Sequence, residues 1–150
     1  MTRYDDRDAV TKLVFRYAEL VDEGAFAAVA ELFEHATFRA MVGTNVYPRT
    51  GANQVREQFE HMVITYDGVP CTKHVTTNVV VDVDDNARTA ASRSYYSVLQ
   101  ARPELPLQVI IAGRYHDAFA QIDGEWRFTD RLIFSDLVGD LRHHLRQNPL

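Results

Sequence analysis

The chain has 150 residues, 46% of them hydrophobic, 11% aromatic and 25% charged, with one cysteine and a formal charge of −5. A chain of roughly 150 residues is the ordinary size of one globular domain, and it buries about 68–70% of its unfolded surface without needing staples. The composition excludes a disulfide framework, a collagen-like or disordered chain and a generally basic nucleic-acid binder.

Residues 1–8 are charged and contain no apolar leader core. No stretch reaches the ~20 apolar residues of a bilayer span. A cytoplasmic protein with no membrane or nucleic-acid partner is therefore expected.

Val10, Leu13, Val14, Tyr17, Ala18 and Val21 recur at helical spacing and predict a first helix, with Asp5 or Asp6 as its cap and Gly24 as its stop. Phe26, Val29, Ala30 and Phe33 predict a short second helix. Residues 37–47 read as a strand or hairpin about Gly43-Thr44-Asn45. A third helix is expected over about residues 52–63, capped by Thr50 or Asn53. The second half changes character. Residues 75–83, 88–100, 107–122 and 125–137 read as strands, with Asp123-Gly124 suited to a type I′ hairpin. A short helix is expected over 140–147. Helices first and an antiparallel meander afterwards predict an α+β fold, a curved antiparallel sheet wrapped around N-terminal helices into a cone with an internal pocket.

Two residues carry the candidate chemistry. Asp22 ends the first helix, where the helix dipole opposes a carboxylate by roughly 0.3–1 kcal/mol. It is either a turn or cap residue, or a buried acid that orients another group. His74 opens a strand whose period of two puts His74, Thr76 and Asn78 on one face and Val75, Val79, Val81 and Val83 on the other. The first set is either the solvent face or a polar part of the interior, provided no bulge shifts the pattern. An imidazole held by a carboxylate, with no serine or cysteine nucleophile, suits proton abstraction.

Tyr17-Ala18-Glu19-Leu20-Val21-Asp22, His74 with Asn78, Gly113-Arg114-Tyr115-His116-Asp117 and Asp123-Gly124-Glu125-Trp126-Arg127-Phe128 with Arg131 give the chain its resemblance. It resembles the SnoaL-like branch of the nuclear-transport-factor-like superfamily, which includes polyketide cyclases, scytalone dehydratase and hexachlorocyclohexane dehydrochlorinase. The resemblance implies a cone with a deep, mostly apolar pocket. It also implies that His74 removes a proton while Asp22 orients it, as in the dehydratase and dehydrochlorinase members. The dehydratase uses further tyrosines and a second histidine, for which Tyr17, Tyr47, Tyr95 and His116 are candidates here.

Other residues have plainer alternatives. Trp126, Phe128, Leu132 and Phe134 read as one strand face, core or pocket wall. Arg114 either binds a substrate oxyanion or forms a structural ion pair. Cys71 lacks a Cys-His catalytic signature, and His143-His144 reads as a solvated helix face. Scattered histidines and the absence of phosphate- or dinucleotide-binding glycines predict no metal and no cofactor.

The expected function is a cofactor-independent lyase or isomerase, with Asp22 and His74 acting on a compact hydrophobic or aromatic molecule. Tyr17, Phe38, Tyr47, Asn78, Tyr95, Arg114, His116 and Phe134 are the expected substrate-binding residues. The competing class is a non-catalytic binding or assembly module, such as the small subunit of ring-hydroxylating dioxygenases. A homodimer or trimer through the sheet suits either.

Overall fold

Helix α1 (Arg3–Asp22) forms because its apolar stripe is buried: Val10, Val14, Tyr17, Ala18 and Val21 all face the interior. It starts before the expected caps, so Asp5 and Asp6 lie within its first turn. The Asp6 carboxylate, itself buried, accepts the Trp126 Nε1–H at 2.9 Å. The structure is a computed structural model that describes residues 3–147, without the Arg3 side chain; residues 1–2 of the charged start lie outside the described residues.

α1 ends in a Schellman turn. Ala25 N–H bonds Leu20 O and Gly24 N–H bonds Val21 O, both at 3.0 Å. Gly24 has φ +73°, and a Cβ there would stand 2.0 Å from Gly68 O. α2 (Phe26–Leu32) then turns Phe26, Val29 and Ala30 inward. β1 (Thr37–Val42) and β2 (Asn45–Thr50) form a hairpin, and α3 (Gly51–Met62) follows with Val55 and Phe59 buried. Thr50 occupies the cap position of α3 without a side-chain cap bond; its backbone N–H is taken by Gln54 Oε1 at 2.9 Å.

The remaining strands are β3 (Thr72–Asp84), β4 (Thr89–Arg102), β5 (Leu105–Ile122) and β6 (Glu125–Val138). Asp123 and Gly124 both have positive φ, 53° and 80°, as the predicted I′ turn requires. The open six-stranded sheet runs β2-β1-β6-β5-β4-β3. The α+β class is as expected, with one amendment: β1 pairs parallel to β6, so the sheet is mixed. α1 packs on both β3 and β6. Those strands lie three positions apart, about 14 Å along a flat sheet at ~4.7 Å per strand, so the sheet curls around the helix.

Among the register shifts of the sheet, two β-bulges redirect the strands at the residues singled out from the sequence. One residue too many between Thr77 and Val80 shifts the β3 register, and Asn78 sits there at φ +39°. His74 and Thr76 face inward, and after the bulge so do Val79, Val81 and Val83, while Val75 is exposed; neither single-face reading of the strand holds along its whole length. β6 repeats the device between Phe128 and Asp130. Trp126 and Phe128 are buried, but beyond the bulge Arg131 is buried too, and Leu132 and Phe134 turn to the outer face. The four aromatic and aliphatic residues expected on one face are split.

The segment after β6 is not a helix. Gly139 N–H bonds Ile110 O at 2.8 Å, Ile64 N–H bonds His144 O at 2.8 Å, and Arg146 N–H bonds Met62 O at 2.9 Å. Leu145 bridges Val63. Backbone pairing with the end of α3 thus outcompetes a helix that would have too few residues to nucleate well. It lays a strap across the inner side of the sheet. His144 is buried, contrary to the solvated face expected for it.

Candidate active site

The Schellman turn leaves the Asp22 carboxylate facing the first residues of β3. Its Oδ1 lies 2.6 Å from His74 Nδ1 and accepts Thr72 Oγ1–H at 2.8 Å. Its Oδ2 accepts the His74 backbone N–H at 2.8 Å. Hydrogen bonds to a charged group contribute ~1.5–3 kcal/mol each, more than the 0.3–1 kcal/mol the helix end costs. Burial pushes the Asp22 carboxyl up, but the His74 ring, its backbone amide and Thr72 outweigh it and hold the group below its ordinary value. The His74 and Asp22 side chains are only 7% and 10% exposed. With Nδ1 committed to the carboxylate, Nε2 is the nitrogen left to accept a proton.

His74 stands in the wall between two spaces. On one side is a shallow groove that also contacts Asp22, Glu19 and Lys73. On the other is a cavity of about 180 Å³ bounded by α1, α3, the sheet and the strap. Asp22 does not line that cavity; it holds His74 from behind. The cavity walls are mainly apolar, with Val21, Phe38, Phe59, Met62, Val63, Val98, Ile133 and Leu141 among them. Its polar groups are Tyr17, Gln58, His74, Tyr96, Tyr115, Ser135 and His144.

A buried ion pair underlies the tyrosines. Arg131 and Asp117, both with fully buried side chains, form two parallel bonds of 2.8 Å. The guanidinium lies 4.3 Å from the Tyr17 ring centre and 3.9 Å from that of Tyr115. Burial lowers the Arg131 pKa, but Asp117 more than offsets it and the group stays charged. Burial pushes Tyr17 up to about 12, against the opposing charge of Arg131, and pushes Tyr115 up as well. Both phenols are therefore O–H groups at neutral pH.

Of the residues expected at the site, the structure brings together Asp22, His74, Tyr17 and Phe38. It places the other six elsewhere. Tyr47 is 48% exposed on β2 and lines a separate groove with Arg49 and His61, because the hairpin edge carries it past α3. Asn78 is displaced outward by its bulge and accepts the Thr77 Oγ1–H. Tyr95, Arg114 and Phe134 are aligned across β4, β5 and β6 on the outer face, with His116 one pair further on. Arg114 there bonds Asp136 at 2.8 and 3.0 Å and covers the Phe134 ring at 4.1 Å, which is the structural ion pair. His116 packs edge-on against Phe134.

The residues that sequence reasoning missed are their neighbours one step along: Tyr96, Tyr115, Ile133 and Ser135. Arg131 and His144 were also missed as interior groups. Among the described residues no three of His, Cys, Asp or Glu converge as metal ligands. Nor, among the described residues, is any helix long and apolar enough to cross a membrane.

Among solved structures the chain is similar to LinA, at 20% identity and TM-score 0.71 over 93% of this chain and 91% of that one. It is similar to a candidate scytalone dehydratase from Novosphingobium aromaticivorans, at 20% and 0.70 over 91% and 88%. The β subunit of a candidate aromatic-ring-hydroxylating dioxygenase from the same organism matches at 14% and 0.70 over 87% and 89%. At these identities the likeness is one of fold. No curated protein matches the chain. The family model of the SnoaL-like domain matches residues 2–132, and the chain belongs to that family.

Proposed function

We propose that the protein is a cofactor-independent lyase or isomerase in which His74 Nε2 removes an acidic C–H proton and Asp22 fixes the ring. The observation that carries this is the 2.6 Å contact between Asp22 and His74 on the wall of an apolar cavity. The carboxylate sets the tautomer and stabilises the imidazolium that forms. Tyr17 and Tyr115 present neutral phenols to the cavity beside the Arg131–Asp117 pair, so that part of the wall is polar without net charge. The substrate is a compact hydrophobic or aromatic molecule. An apolar cavity of roughly 150 Å³ holds benzene, so about 180 Å³ suits one substituted ring or two small fused rings. The resemblance to dehydratases and dehydrochlorinases supports the same chemistry. The lone free thiol, Cys71, suits a reducing cytoplasm.

The test is a panel of compact cyclic ketones and β-substituted ketones, followed by proton NMR in D₂O for exchange, elimination or isomerisation. His74→Gln is expected to lower turnover by about 10²–10⁴-fold. Asp22→Asn is expected to lower it as well, with the circular dichroism spectrum retained. Turnover equal to wild type in both variants counts against the proposal.

A specific observation also favours a role in assembly. The outer sheet face exposes Tyr95, Val109 and Leu137 at 56%, 53% and 71%. Large apolar side chains exposed on a sheet face mark association, and we infer a homo-oligomer formed through this one. A purely structural module, like a dioxygenase β subunit, would need no space beside His74; the cavity there favours the enzyme.

A further inference from the structure

The strap after β6 carries a buried polar ring that the dyad does not use. His144 is 7% exposed, and its Nδ1 is fully buried with no hydrogen-bond partner among the described residues. Buried polar atoms without partners are uncommon, and each asks for a missing ligand or a strain. No slack in the chain explains this one. The His144 backbone is held at both ends of its peptide unit, N–H to Leu141 O at 3.0 Å and O from Ile64 N–H at 2.8 Å. The ring lines the same cavity as His74, with ring centres 6.5 Å apart. Burial and the nearby His74 lower the His144 pKa to about 4, so the ring is neutral at pH 7 and offers one N–H.

Of the other polar groups of the cavity, Tyr96 and Tyr17 are already engaged, while Tyr115 and Ser135 are competing donors that the His144 variants separate. Tyr96 already donates its hydroxyl hydrogen to Phe134 O at 3.0 Å. The unpartnered atom of Gln58 is Oε1, an acceptor that does not pair with a carbonyl oxygen. The Tyr17 hydroxyl lies against Arg131. His144 also falls beyond residues 2–132, the part shared with the SnoaL-like model, so this chain's own C-terminal segment supplies it.

We propose that His144 donates its N–H to the carbonyl oxygen of the substrate, so that two imidazoles flank one H–C–C=O unit and the substrate is a compact ketone or aldehyde. This rests on the dyad as the base. His74 Nε2 takes the α-proton. The C–H electron pair becomes a C=C bond, and the carbonyl π pair moves onto oxygen, where the His144 N–H holds it. Return of the proton from His74 to carbon restores both residues. A neutral imidazole serves as such an electrophile in other enzymes. The ring separation leaves room for the fragment and prevents the two rings from satisfying each other.

The test is equilibrium binding of indan-2-one against indane, which differ by the oxygen alone, by calorimetry on the whole chain. Wild type is expected to prefer the ketone by about tenfold, the scale of one hydrogen bond. His144→Phe is expected to abolish that preference while leaving indane affinity within about twofold, on the same scale of free energy. His144→Gln, which keeps a donor, restores part of it. His74→Gln keeps the preference while losing exchange of the α-protons, which separates this inference from the dyad. A preference that persists in His144→Phe assigns the oxygen to the tyrosines and overturns the proposal. Equal affinity for the two compounds in wild type, or binding of neither, overturns it as well.

Discussion

Asp22 grips His74 twice, through the ring at 2.6 Å and through the backbone N–H at 2.8 Å. The same carboxylate therefore orients the imidazole and pins the start of β3 to the end of α1. Asp22→Asn keeps an acceptor for one of these donors and loses the charge. The expected cost is about 1–3 kcal/mol in urea unfolding, the price of a disrupted charged hydrogen bond. Nitrogen-15 NMR should show His74 as the Nδ1–H tautomer in wild type and a mixture in the variant. An Nε2–H tautomer in wild type would contradict the orientation.

Stability should fall with acid in two stages. His144 has its folded pKa lowered to about 4 from 6.5. Above pH 6.5 it is neutral in both states; below, the unfolded chain takes the proton first, so stability is lost progressively toward pH 4. At 1.36 kcal/mol per pKa unit the loss is on the order of 3 kcal/mol. Asp22 is depressed below 3.8, so its contribution, present above that pH, is lost only as the pH falls further. Denaturant midpoints from pH 7 to 4 should flatten in His144→Phe. An unchanged slope would count against a buried neutral ring.

Removing one partner of the Arg131–Asp117 pair should be among the most damaging single changes. Asp117→Asn leaves a fully buried guanidinium without its counter-ion. A cost of about 3–5 kcal/mol is expected. Arg131→Lys should also destabilise, because an ammonium cannot make the two parallel bonds. Thermal unfolding of both variants measures this.

Gly113 is fixed by a close approach rather than by its backbone angle. A Cβ there would lie 1.8 Å from Phe134 O, which in turn accepts the Tyr96 hydroxyl. Gly113→Ala should push β6 away and cost about 1–3 kcal/mol or more. It should also disturb the Tyr96 side of the cavity, read as weaker binding of indan-2-one.

Element types and order were legible because apolar periodicity is strong in α1, α2 and the four long strands. Asp22 and His74 were legible as a pair only through the family resemblance; in the chain they are far apart, and the α1–β3 packing joins them. Strand faces were the weak point. Period-two reasoning is right only until a residue is inserted. The bulge at Asn78 turned Val79, Val81 and Val83 inward, and that near Thr129 turned Phe134 outward. Asn is among the few residues that tolerate positive φ, which is a faint signal for the first. Tyr95 and His116 were placed one residue away from the inward-facing Tyr96 and Tyr115. His144 was hidden because the strap is held by backbone pairing, which leaves no side-chain pattern.

The most direct test is the initial rate of deuterium uptake into indan-2-one at pH 7 for wild type and for His74→Gln of verified fold. Catalysed uptake is expected in wild type, with a loss of at least about 10²-fold in the variant. Coincident rates for the two proteins would contradict His74 as the base.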